Sequence, residues 1–127
     1  RQQLGQGFIL GKNSENVACE ACSDTAQAAS EDQINNFAKS CPEWEIKTEQ
    51  DIIFLTRTYL FSDFVQASAF AEKVGTIADQ ANHHPRIIIE YGKTRVDWWS
   101  HKIANIHSLD LKLAGDTDKL FKTNETK

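Results

Sequence analysis

Residues 62–101 read SDFVQASAFAEKVGTIADQANHHPRIIIEYGKTRVDWWSH. The first half of this stretch predicts a long helix, and Ser62 is a favourable N-cap for it. Apolar residues alternate at spacings of three and four, as on one buried helix face: Ala67, Phe70, Val74, Ile77 and Ala81. Pro85 cannot continue a helix, so His83 and His84 are predicted to lie at its C-terminus.

The second half of the stretch predicts a β-hairpin around a tight turn at Gly92-Lys93. The residues that share one face are Ile87, Ile89 and Tyr91 in the first strand, and Val96, Trp98 and Ser100 in the second. Trp98 and Trp99 are consecutive, so they cannot both face the core of a regular strand. One of them is expected to cover the other side of the sheet, to form an oligomer contact or to lie at the surface.

Shorter elements are predicted before the long helix. Ser30 and Gln33 match a capping box, which starts a first helix. Trp44 and Ile46 alternate with charged residues, as in a half-buried strand. Residues 52–61 are rich in β-branched and aromatic residues and predict a longer strand.

Ser108 is predicted to cap a last helix. The order of helix, two strands, long helix, two strands and helix predicts an α+β fold, in which helices cover one face of a four-stranded antiparallel sheet. Residues 1–29 are rich in glycine and polar residues and are expected to form a loose N-terminal arm. Residues 30–127 are expected to form a single domain.

Composition excludes several classes of function. The 127 residues carry a formal net charge of −4, which gives no electrostatic footprint for direct nucleic-acid binding. No apolar run approaches the roughly 18 residues that span a bilayer, so no membrane association is expected. Three cysteines, an odd number, favour a reducing compartment over a secreted disulfide scaffold. We expect a cytoplasmic protein, and organellar targeting stays open because the chain begins at Arg1.

Three of the four histidines lie close to one another in the predicted fold. Alone, a His-His-Pro sequence is usually a polar helix terminus. Here the hairpin after the helix returns the chain towards its start, so His101 is expected near His83 and His84. Asp79 lies one helical turn before His83, where it can orient an imidazole. The remaining histidine, His107, is expected to be a solvated loop residue.

A long gapped motif extends over these residues: Asp79-x3-His83-His84-Pro85-x5-Tyr91-x9-His101-x8-Asp110. It resembles the signature of the pterin-4a-carbinolamine dehydratases. Residues 30–122 resemble that family more widely, in Leu55-x-Arg57-x-Tyr59-x-Phe61, Ile89-Glu90-Tyr91-Gly92-Lys93 and Asp110-x-x-Leu113-Ala114.

The resemblance implies a hydro-lyase that dehydrates 4a-hydroxytetrahydropterin to quinonoid dihydropterin, in the recycling of tetrahydrobiopterin, with no metal and no organic cofactor. It implies that His83 and His101 carry out acid–base chemistry and that His84 mainly positions the substrate. The residues implied to bind substrate are Asp79, Asn82, Pro85, Ser100, Lys102 and Asp110.

Two positions depart from the family pattern. Asn82 stands where the family often has an acid, and its amide can form hydrogen bonds but carries no charge. Ser100 stands where threonine is usual, and it retains the hydroxyl group.

Other functions stay open at this point. Some animal members of the family serve as dimerisation partners of a transcription factor, so a protein-binding module is the main alternative. A metalloenzyme that uses the same histidines is a third. Cys19-x-x-Cys22 has the spacing of metal ligands, and Cys41 gives a third thiol, but a structural zinc needs four ligands. The resemblance also implies a homodimer or homotetramer, in keeping with an exposed sheet edge.

Overall fold

The computed structural model describes residues 26–125, with side chains as far as residue 123. The remaining residues, which include Cys19, Cys22 and most of the expected N-terminal arm, lie outside the described part. The elements in the described part are α1 (Glu31–Ser40), β1 (Glu45–Glu49), β2 (Ile52–Leu60), α2 (Phe64–Ala81), β3 (Arg86–Glu90), β4 (Lys93–Trp98) and α3 (Ser108–Glu125).

The strands form an antiparallel sheet in the order β1-β2-β4-β3, which confirms the predicted α+β fold. The register sets Leu55 of β2 opposite Trp98 of β4, and Ile87 of β3 opposite Val96 of β4. The hairpin turn consists of Tyr91 and Gly92, one residue earlier than predicted. Gly92 has a φ of +74°, a conformation that glycine adopts without steric cost.

The helices pack on one face of the sheet and enclose the core between them. Core residues include Leu55, Tyr59, Phe70, Val74, Val96, Trp98 and Leu113. Full burial of each large apolar side chain contributes roughly 1.5–3 kcal/mol. Trp44 is buried but precedes β1, whereas Ile46 is 48% exposed, so the prediction that both lie on a buried strand face is wrong for Ile46. β1 is an edge strand, and its residues are exposed.

Helix starts agree with the sequence in one case and differ in two. Ser30 and Gln33 form the predicted capping box. α2 is capped by Asp63, not Ser62, because the Asp63 carboxylate accepts the backbone N–H of Gln66 at 2.8 Å. α3 begins at Ser108, and the residue before it, His107, acts as the cap.

The prediction that His107 is a solvated loop residue is therefore wrong. Its Nδ1 accepts the backbone N–H of Leu109 at 3.0 Å, and its own backbone N–H donates to Asp110 at 2.9 Å. The ring is buried against the start of α3. This reciprocal arrangement resembles a capping box with histidine in the place of serine.

A buried carboxylate joins α3 to the sheet. Asp118 of α3 accepts hydrogen bonds from Trp44 Nε1 at 3.1 Å, from Arg57 at 2.7 Å and from the Tyr59 hydroxyl. Burial, and next the hydrogen bond to Asp118, raise the pKa of Tyr59 well above its ordinary value. Burial, and next the charge of Asp118, raise the pKa of the Cys41 thiol.

The helix-free face of the sheet buries two side chains of opposite character. Phe54 and Asp97 are both fully buried. The Arg86 guanidinium lies 5.0 Å from the centre of the Phe54 ring. The Nε atoms of Arg86 and Arg95 each lie 2.9 Å from the Asp97 carboxylate. The two arginines therefore cover this face, and Asp97 holds them in place.

Candidate active site

One wall of the candidate site is formed where α2 ends. Asn82 follows the last helical residue and adopts a left-handed conformation with a φ of 52°. The backbone N–H of His83 reaches back to the carbonyl of Ala78 at 3.1 Å, which closes the helix end. Pro85 then leads into β3. Asparagine tolerates this conformation better than most residues, which gives a structural reason for Asn82 where the family often has an acid.

The two adjacent histidines have different surroundings. His83 is 5% exposed, and its Nε2 lies 2.6 Å from Oδ1 of Asp110. Its ring is stacked on Trp98, with centroids 6.0 Å apart and an interplanar angle of 14°. His84 is exposed, and its Nε2 lies 2.9 Å from Oδ1 of Asp79. The left-handed turn at Asn82 therefore pairs Asp79 with His84 rather than with His83.

Asp110 organises the buried side of the site. The side chain is fully buried, and its Oδ2 accepts the hydroxyl of Ser100 at 2.7 Å and the backbone N–H of His107 at 2.9 Å. Because the carboxylate accepts from His83, the proton of a neutral His83 ring lies on Nε2. The basic atom of that ring is then Nδ1.

The opposite wall is a closed turn that follows β4. Ser100 and Asn105 form an isolated β-bridge, and the backbone N–H of Ser100 donates to the carbonyl of Asn105 at 2.9 Å. Ala104 within this turn has a φ of 52°. His101 projects from the turn and stacks on Trp99, with centroids 4.7 Å apart and an interplanar angle of 22°.

The two walls enclose a pocket of about 330 Å³, lined by Asn82, His83, His84, His101 and Lys102. Its volume lies in the range of small-molecule sites. The fold thus brings the three histidines together in one pocket. Of the other residues expected to bind substrate, Asp110 and Ser100 are buried beneath His83, and Asp79 is exposed beside His84. Pro85 forms the link to β3. The roles of all these residues stay predictions.

Sequence reasoning missed the two stacking partners. Trp98 and Trp99 lie on opposite faces of the sheet, and each supports one histidine of the pocket. The alternation of side chains along a strand predicts that the two indoles lie on opposite sides of the sheet, but it does not predict which rings they stack on. The role of His107 had a local signal, since an acid three residues after a cap is the pattern of a capping box.

Metal ligation has limited support in the described part of the chain. Among residues 26–123 no group of three or more histidine, cysteine or acidic side chains is placed to hold a metal ion. Cys41 is partly buried there as a free thiol. The proposal of a zinc site that includes Cys19 and Cys22 falls outside the described residues. No helix in that described part is long and apolar enough to cross a membrane.

One known protein family matches a stretch of the chain that includes the long gapped motif. The profile of the family described as "Pterin 4 alpha carbinolamine dehydratase" matches residues 27–120. The chain belongs to this family. A candidate pterin-4-alpha-carbinolamine dehydratase of Nitrosococcus oceani is 43% identical over 106 residues, which cover 84% of this chain and 94% of that protein. One of Chlorobium limicola is 36% identical with the same coverage of both proteins. Membership supports a pterin carbinolamine dehydratase activity.

Solved structures agree in fold. A transcriptional coactivator/pterin dehydratase from Brucella melitensis superposes with a TM-score of 0.64 at 22% identity, covering 74% of this chain and 98% of that one. A pterin dehydratase-like protein described as a RuBisCO assembly factor in the alpha-carboxysome gives a TM-score of 0.52 at 15% identity, with coverage of 61% and 88%. At these identities the likeness concerns the fold alone.

Proposed function

We propose that this member of the pterin carbinolamine dehydratase family dehydrates 4a-hydroxytetrahydropterin to quinonoid dihydropterin and water, as a step in tetrahydrobiopterin recycling. The observation that carries the proposal is that His83, His84 and His101 line one and the same pocket. His83 is oriented there by the buried Asp110. Family membership supports the substrate class, and the pocket supplies three imidazoles, the side chain most often used for general acid–base catalysis.

The reaction needs one proton donor and one proton acceptor. The N5 lone pair of the substrate forms a C4a–N5 double bond as the C4a–O bond breaks. The departing hydroxyl group takes a proton and leaves as water, and N5 then loses its own proton. A positioned acid–base residue typically contributes 10²–10⁴-fold to such a step. No metal ion or organic cofactor is needed for this balance of atoms and electrons.

We assign the two proton transfers to His83 and His101, which lie on opposite walls of the pocket. Nδ1 of His83 can accept a proton, because Asp110 keeps the other proton on Nε2 and stabilises the imidazolium that results. His101 lies on the solvent-exposed side of the pocket, where it is suited to protonate the leaving hydroxyl group. His84 is paired with the exposed Asp79 and is assigned to positioning of the pterin ring.

A turnover assay with freshly generated carbinolamine tests the proposal, with the uncatalysed dehydration subtracted. Wild type should accelerate dehydration, and His83→Ala should lose most of that acceleration. Lys112→Ala, on the exposed side of α3, is the control for handling and folding and should match wild type. Treatment with a chelator should leave turnover unchanged. Absence of acceleration by the wild type would overturn the proposal, and loss of activity on chelation would favour the metalloenzyme.

A protein-binding role is the alternative, and an exposed apolar groove favours it. The groove lies between α2 and β3 and is lined by residues that include Phe64, Val65, Ile87 and Ile89. Of the two solved structures that share the fold, one is of a transcriptional coactivator/pterin dehydratase and the other of a RuBisCO assembly factor. A folded wild type without turnover in the assay above would support this alternative.

We further propose that a second copy of the chain covers this groove, so that the protein forms a homodimer or homotetramer. β3 is an edge strand, and two apolar residues of the groove, Ile89 of β3 and Val65 of α2, are exposed. Light scattering after gel filtration should give a multiple of the 14.3 kDa chain mass. Val65→Glu should shift that mass towards the monomer, and a monomeric wild type would contradict the proposal. A cytoplasmic location stays a prediction from the sequence.

A further inference from the structure

The three pocket histidines differ in what orients them. His83 and His84 each have a carboxylate partner, Asp110 and Asp79 respectively. Within the described residues, the side chain of His101 has neither a hydrogen bond nor an ion pair. Its oriented contact there is the stack on Trp99, at 4.7 Å between ring centroids and 22° between planes. A histidine in an exposed turn would otherwise sample several rotamers.

Trp99 itself is firmly placed. It is 8% exposed although it lies on the helix-free face of the sheet. Its ring centroid is 5.7 Å from that of Phe54, and the Arg86 guanidinium lies 4.9 Å from its centre. Arg86 is held by the fully buried Asp97 at 2.9 Å. The indole therefore rests on groups that are anchored in the middle of the sheet.

We propose that Trp99 is a positioning residue for the dehydration, one that presents the His101 imidazole to the pocket in place of a carboxylate partner. The proposal rests on the proposed function for the role of His101, but the stack itself does not depend on it. Trp99 acts through His101 and not on the substrate, since it is not among the residues that line the pocket.

The arrangement has a chemical consequence for His101. A carboxylate partner fixes the proton on one ring nitrogen, as Asp110 does for His83. A flat indole restricts the tilt of the imidazole and leaves both ring nitrogens available to exchange protons. That is suited to a residue that must give a proton to the leaving group and then recover one before the next turnover.

Nuclear magnetic resonance of the imidazole protons tests the stack without any substrate. The His101 signals are assigned by their disappearance in His101→Gln. In the wild type they should be displaced upfield by the ring current of the indole. In Trp99→Leu they should move to the position of a free imidazole, and in Trp99→Phe, which keeps a flat ring, part of the displacement should remain.

Steady-state kinetics tests the positioning role. Trp99→Leu should lower kcat by up to about 10²-fold, the cost of a small misplacement of a catalytic group, with a smaller change in KM. Trp99→Phe should recover part of kcat. Trp44→Phe is the matched control, because Trp44 is also 8% exposed but lies beside Asp118. It should lower the melting temperature without moving the His101 signals or kcat.

Wild-type His101 signals at the free-imidazole position would overturn the inference, even if no Trp99 variant folds. So would a kcat for Trp99→Leu that is no lower than that of Trp44→Phe. The failure of the proposed function looks different, since the wild type would then show the upfield His101 signals but no turnover.

Discussion

Nε2 of His83 lies 2.6 Å from Oδ1 of Asp110, and both side chains are buried. The two residues are 27 positions apart in the chain, and the start of α3 brings the carboxylate beneath the end of α2. Because Asp110 also accepts from Ser100 and from the backbone of His107, it is fixed in one orientation. The tautomer of His83 is thereby fixed by contacts that lie outside the pocket.

Asp110→Asn should lower kcat by about 10²–10⁴-fold, the worth of one acid–base group, with a smaller change in KM. The amide can no longer accept from all three donors, so His83 loses its preferred tautomer. The buried donor left unpaired should also cost about 1–3 kcal/mol in the free energy of unfolding. Kinetics and urea denaturation measure the two effects. Asp79→Asn, at the exposed partner of His84, is the control and should change kcat much less; equal effects would contradict the assignment.

His101→Ala should lower kcat by about 10²–10⁴-fold while substrate affinity changes less, because protonation of the leaving group is lost. His84→Ala should instead weaken binding more than it slows the maximal rate. Full progress curves with background subtraction give both parameters. The reverse pattern would mean that His101 holds the ring and His84 transfers the proton.

Stability should fall at alkaline pH because of Tyr59. Its pKa is raised in the folded state, so above the ordinary value of about 10 the unfolded chain loses the proton and the folded chain retains it. The contribution is fully present below about pH 10 and is lost above it, by about 1.4 kcal/mol per pH unit for one group. Cys41 acts in the same direction.

The alkaline limb can be measured by urea denaturation from pH 8 to 11. Tyr59→Phe should be less stable than wild type at pH 8, since the hydrogen bond to Asp118 is lost, but its stability should fall less steeply above pH 10. Parallel curves for the two proteins would show that another group causes the loss.

Ala104→Gly should stabilise the protein by about 0.5–1 kcal/mol. Ala104 has a φ of 52°, which strains any residue with a Cβ. Ala69→Gly, at an exposed position of α2, should do the opposite and cost about 1 kcal/mol. Denaturation midpoints of the two variants measure both changes in stability. A destabilised Ala104→Gly would mean that the methyl group of Ala104 has a packing role.

Removal of residues 1–18 should leave folding and turnover nearly intact, because the segment is polar and rich in glycine. A melting curve and the turnover assay on the shortened chain measure this. A large drop in melting temperature would show that the segment packs on the domain.

Local patterns predicted most of the architecture. The apolar spacing in α2, the capping box at Ser30 and the stop at Pro85 each depend on a few neighbouring residues, and the structure agrees with them. The sheet followed from two predicted hairpins, although the expected alternation of buried and exposed residues fails in the edge strand β1, where Ile46 is exposed. Errors of one residue, such as Asp63 for Ser62, arose because neighbouring residues were both good caps.

The contacts that hold the site were not predictable in the same way. The network of Asp118 joins Trp44 and Tyr59 to a helix 59 to 74 positions later, and no local pattern specifies such a contact. The pairing of Asp79 with His84 depends on the conformation of the single residue Asn82. Both are decided by how elements meet in three dimensions.

The left-handed conformation of Asn82 has a consequence for how the site can change. His83 and His84 lie on a segment that is fixed by the helix end on one side and by Pro85 on the other. The backbone therefore fixes the spacing of the two imidazoles. Variants with substitutions in this segment should rarely remain active. Libraries made to accept pterins with bulkier side chains should yield their active variants at 102–105, in the opposite wall of the pocket, with His101 retained.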